Sequence, residues 1–207
     1  MLNKKILISF FIVLSLNAND NNISIIVNQG VPAINEMLKK ISIQKRYKQN
    51  RTLLHYAVKA RNFDTVSFLV RKKILLSLQG GKYNNTALQD AIFNGHLKIA
   101  HYLIKKGTPL NLKNRYGETA LHIASTRGYI GVIKQLLLNG ADKSIMNNNG
   151  HKPYDLIKKL SFTSSKKLKE LLFFNQNSVK RKKYREFLFI DKKSKINNCN
   201  IGIQIKE

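Results

Sequence analysis

The chain repeats itself. Residues 119–124 read TALHIA, residues 86–91 read TALQDA and residues 52–57 read TLLHYA, so one hexapeptide pattern recurs at spacings of 33 and 34 positions. Gly128 and Gly140 are matched one period upstream by Gly95 and Gly107. The apolar residues keep the same step: Ile133, Leu136 and Leu137 answer Ala100, Leu103 and Ile104, which answer Val66, Leu69 and Val70. Downstream, NGHKPYDLI places Gly150 one period after Gly117. A fixed period of this length means that each unit is one supersecondary element, too small to bury its own apolar face, which stacks on its neighbours.

The best-formed copy shows what each position does. Thr119 stands where a helix should start, and its hydroxyl can cap backbone N–H groups there. His122, three residues on, is placed to share hydrogen bonds with that threonine and with neighbouring loops. Gly128 and Gly95 are expected to end a first helix in a left-handed conformation. A second helix then buries Val132, Ile133, Leu136 and Leu137 at helical spacing, and Gly140 closes it.

These residues resemble the ankyrin repeat, with its Gly-x-Thr-Pro-Leu-His-x-Ala start, Gly-His corner and Leu-Leu-Leu-x-x-Gly-Ala finish. The resemblance covers about Lys48 to Phe174. It implies an all-α fold, an ankyrin-repeat solenoid of helix-turn-helix units whose loops form fingers and whose inner helices form a palm. It further implies that Thr52, His55, Thr86, Gly95, Gly107, Thr119, His122, Gly128 and Gly140 are structural. Ala57, Ala91 and Ala124 would be small because adjacent inner helices approach closely.

Departures from the pattern mark the weaker units. Arg61 stands where the first corner glycine should be, a strain of about 1 kcal/mol unless Asn62 takes the turn. LSLQGGKYNN carries one extra residue, which predicts a longer second finger. Gln89 replaces the histidine of the second unit. The fourth copy keeps Pro153 and Leu156, with a final helix expected around Leu168, Leu171 and Leu172. At the other end VPAINEMLKKI predicts one capping helix from Pro32, with Ile34, Leu38 and Ile41 on its apolar side.

The expected organisation is a signal peptide over 1–18 and a linker with a degenerate capping helix over 19–47. Repeats follow at 48–80, 81–113 and 114–146, then a C-terminal capping repeat over 147–174 and a basic tail over 175–207. Lys4 and Lys5 before an apolar run from Ile6 to Leu16, then a small residue at Ala18, make a secretory signal with cleavage near Ala18. That predicts a periplasmic or secreted protein. The run is short for a spanning helix, which needs about 20 apolar residues. Cys199 is the single cysteine, so an exported chain must hold its fold without an internal disulfide.

Lys and Arg number 37 against 11 Asp and Glu, a formal net charge of +26. A field of that sign favours anionic partners: nucleic acid, lipid headgroups or an acidic envelope polymer. A lysine-, asparagine- and isoleucine-rich composition is also what the mutational bias of an AT-rich genome yields. The run KRKKYR at Lys180–Arg185 could serve as an address in a secreted, host-directed effector.

The histidines, His55, His96, His101, His122 and His151, lack the spacing of a zinc site. Gly80-Gly81 has no P-loop context, and Cys199 has no adjacent base. No enzyme activity, cofactor, metal or small-molecule substrate is expected. What remains is a surface, in a chain expected to be monomeric. A basic residue followed by tyrosine occurs in three finger segments, as Arg46-Tyr47, Lys82-Tyr83 and Arg115-Tyr116, and arginine and tyrosine often dominate interfaces. With Asn148 and His151 of the fourth finger they form one candidate set for binding a partner protein. Tyr56, Lys59, Phe93, Asn94, Thr126 and Arg127 form the palm set.

Overall fold

The computed structural model describes residues 20–39 and 41–157. All of these fall in the first of two compact units, 1–172; the second, 173–207, lies outside the described residues. The proposed signal peptide, the expected helix around Leu168 and the basic tail also lie outside them.

Among the described residues, eight α-helices alternate between two layers. The inner layer holds α1 (Asp20–Gln29), α3 (Leu53–Lys59), α5 (Ala87–Phe93) and α7 (Ala120–Arg127). The outer layer holds α2 (Val31–Leu38), α4 (Phe63–Arg71), α6 (Leu97–Lys105) and α8 (Ile130–Leu138). Each inner helix packs on the outer helix that follows it and on the next inner helix, and α7 packs on a 3-10 turn at Pro153–Leu156. The core lies between the layers, where Leu53, Leu88 and Leu121 from inner helices and Leu69, Leu103 and Leu136 from outer helices are all fully buried. Ala57, Ala91 and Ala124 have no exposed surface, as close packing between inner helices requires.

The N-terminal segment differs from expectation. Residues 19–47 carry two helices where one capping helix was expected, because ISIIV has its own apolar face. Ile23, Ile26 and Val27 of α1 are buried, and α1 packs on α3 as the other inner helices pack on theirs. In α2 the buried face is Ala33, Ile34 and Met37, so Met37 takes the place expected of Leu38 and Ile41, which are half-buried. The start of the expected linker is therefore a helix of ten residues.

The corners of the first repeat are equally informative. Arg61 adopts φ 55°, the left-handed conformation that Gly128 adopts at φ 70° in the third repeat. Asn62 does not relieve it. It caps α4 by accepting from the Thr65 N–H at 3.0 Å, and its amide donates to the Val27 carbonyl at 3.1 Å. The second finger, the one with the extra residue, is a small hairpin in which Gln79 pairs with Thr86 and Gly80 with Asn85.

Candidate functional site

The residues expected to be structural form latches between repeats. In the third repeat the Thr119 N–H donates to His122 Nδ1 at 3.2 Å, and Thr119 Oγ1 lies 2.9 Å from the same nitrogen. His122 Nε2 faces the His151 carbonyl at 3.1 Å, which assigns the proton to Nε2. Thr52 and His55 repeat this geometry, with His55 Nε2 on the Asn85 carbonyl at 3.0 Å. Gln89 performs it with an amide. Its Oε1 accepts from the Thr86 N–H at 2.7 Å, and its Nε2 donates to the carbonyls of Leu112 and Glu118. The ring and the amide meet the same requirement: an acceptor facing back to the helix start and a donor facing the next finger. Burial holds both His55 and His122 below the usual histidine range. Gly95, Gly107, Gly128 and Gly140 all have positive φ.

The first finger corrects one expectation. Counted from the helix-capping threonines, Tyr83 and Tyr116 stand three residues upstream of Thr86 and Thr119, whereas Tyr47 stands five upstream of Thr52. Tyr47 is therefore out of phase with the other two. Its counterparts are Asn114 and Asn147, and all three backbones close the same turn: Tyr47 N to Arg51 O, Asn114 N to Glu118 O and Asn147 N to His151 O. At this turn position the side chain points inward. Tyr47 is 6% exposed and packs edge-on against Tyr56, itself 3% exposed, with ring centroids 5.9 Å apart. Burial pushes the Tyr47 phenol well above its usual range. Neither Tyr47 nor Tyr56 is available to a partner.

The other aromatic candidates converge. Tyr83 from the second finger lies 5.8 Å, centroid to centroid, from Phe93 at the end of α5, and 5.7 Å from Tyr116 of the third finger. The Arg127 guanidinium at the end of α7 lies 4.6 Å above the Phe93 ring. Lys82 Nζ lies 5.6 Å from the Tyr83 centroid. Phe93 is 40% and Tyr116 51% exposed, so finger and palm residues from two repeats form one accessible aromatic run edged by cations. Large exposed aromatics gathered in one place are uncommon except where a surface is used.

The remaining candidates are mostly exposed but committed to the scaffold. Arg46 donates to the Gln79 carbonyl at 3.1 Å, Asn94 to the Asp90 carbonyl at 2.8 Å and Thr126 to the His122 carbonyl at 3.1 Å. The Asn148 amide donates to the Arg115 carbonyl at 3.0 Å, joining two fingers. His151 is half-buried and supplies the carbonyl that receives His122. Lys59 is exposed at the end of α3.

A polar chain beneath the fingers was not anticipated. Asn114 Nδ2 donates to Asn85 Oδ1, and Asn85 Nδ2 donates to Asp90 Oδ1 at 2.8 Å. Burial raises the Asp90 carboxyl above its usual range, while Asn85 and the nearby His55 and Arg51 oppose that rise. Asn114 Oδ1 accepts from the N–H groups of Tyr116 and Glu118, and Asn147 Oδ1 from those of Asn149 and His151. The recurrence of Asn114 at Asn147, one period later, was the available signal. Among the described residues no group of three or more His, Cys, Asp or Glu is placed to hold a metal ion.

A family model for ankyrin repeats (three copies) matches residues 22–114 and 76–147. The match begins inside α1, upstream of the Lys48 boundary drawn from the sequence. No curated protein matches the chain significantly.

Proposed function

The chain belongs to the ankyrin-repeat family, whose arrays are protein–protein interaction modules and generally non-enzymatic, and from that premise we propose that it binds a partner protein through Tyr83, Phe93 and Tyr116. The convergence of these three rings, with Arg127 stacked on one end, carries this reading. Aromatic and arginine anchors contribute most of the energy of typical interfaces, and here they need no rearrangement to present one surface. The buried Tyr47 and Tyr56 contribute only to the stack beneath.

The export reading belongs to the same proposal. Because α1 supplies Ile23, Ile26 and Val27 to the core, processing near Ala18 would leave every described core residue in the mature chain. Lys4 and Lys5 are the only basic residues ahead of that point, so the strong positive charge would travel with the exported body. N-terminal sequencing of the protein recovered from its native cells tests this, and a mature chain starting at Met1 would sink it.

The binding test uses a partner isolated by crosslinking in the native envelope, with and without the residues after Phe174. Tyr116→Ala and Phe93→Ala should each weaken that partner by about tenfold or more, with the melting temperature unchanged. Full affinity in both variants would overturn the assignment. Charge is the second reading, favoured by the net +26. Binding to anionic polymer, lipid or nucleic acid should collapse near 0.5 M salt, where screening acts within about 4 Å, while an aromatic interface should persist.

A further inference from the structure

The geometry points to a partner that presents an acidic linear peptide, with a carboxylate seated between the fingers and an apolar side chain on the adjacent rings. This rests on the binding surface proposed above and adds the chemistry of what it binds. Next to the aromatic run the first three fingers enclose an open cleft of about 490 Å³, lined by Gln49, Asn50, Gly81, Lys82, Asn84 and Arg115. The lining holds two cations and three side-chain amides, and no carboxylate. The floor is fixed, since Gly81 N–H donates to the Gln49 carbonyl at 2.7 Å and Arg115 N–H to the Tyr83 carbonyl at 2.8 Å. Lys82 and Arg115 are exposed, and among the described residues neither side chain donates a hydrogen bond to the protein. Arg46, one repeat unit away, shows the contrast: its guanidinium is tied to a carbonyl.

Two acids of the second and third repeats already hold internal partners. Asp90 accepts from Asn85 and Glu118 from Asn114. Among the described residues neither Lys82 nor Arg115 forms an ion pair, and both stand beside amides able to complete an anion's hydrogen bonds. A planar carboxylate suits the fork of an arginine. The cleft adjoins the rings through Lys82: its Nζ lies 5.6 Å from the Tyr83 centroid, and the Phe93 and Tyr116 centroids lie 5.8 and 5.7 Å from that of Tyr83. An extended peptide advances about 3.3 Å per residue, so an acidic residue in the cleft puts a side chain about two to four residues away on the rings. An acidic polymer without apolar groups could satisfy the cations but has no use for the rings, whereas a single-stranded nucleic acid could stack bases on them and is distinguished by the competition experiment below.

Selection of random linear peptides displayed on phage against the full-length chain tests the inference. Enriched sequences should carry Asp or Glu about two to four residues from an aromatic or large aliphatic residue. A peptide so found should bind about tenfold to a hundredfold more tightly than its Asn or Gln twin. The double variant Lys82→Ala/Arg115→Ala should lose that discrimination and keep the apolar preference, and Phe93→Ala should do the reverse. Both variants alter exposed side chains, and circular dichroism should show an unchanged fold. Enriched peptides that need Phe93 but show no acidic preference would overturn this inference and leave the binding surface standing. No enrichment, or enrichment insensitive to both variants, would overturn the binding surface as well. Competition by oligothymidylate at equal charge, lost at high salt, would replace the peptide by a polyanion.

Discussion

His122 Nε2 donates to the carbonyl of His151, 3.1 Å away, and so fixes the start of α7 to the finger of the following unit. The second repeat makes the same connection through Gln89, which has no titrating group. That natural pair defines an experiment. His122→Gln should keep stability within about 1 kcal/mol, while His122→Ala should lose about 2–4 kcal/mol by orphaning the Thr119 N–H and the His151 carbonyl. Urea denaturation followed by circular dichroism measures both.

The same substitution should change the response to acid. Burial lowers the folded-state pKa of His122, so below the ordinary histidine value, about 6.5, the unfolded chain binds a proton that the folded chain resists. The stability tied to His122 is whole above that value and drains away as pH falls toward the lowered one. Asp90 acts oppositely, since a carboxyl whose pKa is raised by burial favours the fold as it protonates. The difference between wild type and His122→Gln isolates the histidine. The variant should lose less stability between about pH 7 and about pH 5, and identical slopes would refute the assignment.

Tyr47 offers a test of the corrected finger register. Its hydroxyl is buried with no hydrogen-bond partner among the described residues. Tyr47→Phe removes a desolvated, unpaired polar group, and should be neutral or stabilising by about 1 kcal/mol. Tyr47→Ala should cost about 3–5 kcal/mol, because it empties the space against Tyr56. Neither effect is expected at Tyr116, where alanine should leave the denaturation midpoint alone. A partner that binds Tyr47→Phe poorly at full stability would restore this residue to the interface.

What the sequence disclosed follows from where its periodicity was strict. The Thr-x-x-His positions, the small alanines and the outer-helix leucines recur in phase, and each occupies the place its recurrence implied. Phase also holds the information on Tyr47: the three basic-tyrosine doublets share a composition, but only Tyr83 and Tyr116 share a distance from the capping threonine. Helix α1 is obscured because its unit lacks the capping threonine and the closing glycine, leaving Gly30 at its corner and Ile23, Ile26 and Val27 to mark it. The aromatic run was half legible. Tyr116 and Phe93 were separate candidates, but their meeting at Tyr83 depends on how far a finger folds over the palm, which no local pattern encodes.

The first repeat carries strain where the others carry glycine. Arg61 at φ 55° and Lys73 at φ 60° stand at the two corners filled later by Gly95 and Gly107, or Gly128 and Gly140. A non-glycine residue in this conformation costs about 1–2 kcal/mol, partly offset because glycine gives the unfolded chain more freedom. Arg61→Gly should therefore stabilise by about 0.5–1 kcal/mol, and Gly128→Ala should destabilise by a similar or larger amount. Opposite signs in chemical denaturation are the expected result. A destabilised Arg61→Gly would show that its side chain does something the corner geometry does not reveal.

Gly80 tests whether the cleft depends on contact between fingers. A Cβ there would lie 2.5 Å from the Asn50 carbonyl oxygen and 2.9 Å from the Arg51 nitrogen, both backbone atoms. Gly80→Ala must therefore push the first finger off the second, at a cost of about 1–3 kcal/mol. The adjoining hydrogen bond from Gly81 N–H to the Gln49 carbonyl, 2.7 Å long, should break with it. Hydrogen exchange should then speed at the Gly81 amide, while amides of α6 stay protected because their helix lies in the other layer. Lys82 and Arg115 would no longer face a common space, so the preference for acidic peptides should fall even though both cations remain. If the Gly81 amide stays protected and that preference persists, the fingers do not need this contact, and the cations alone select the ligand.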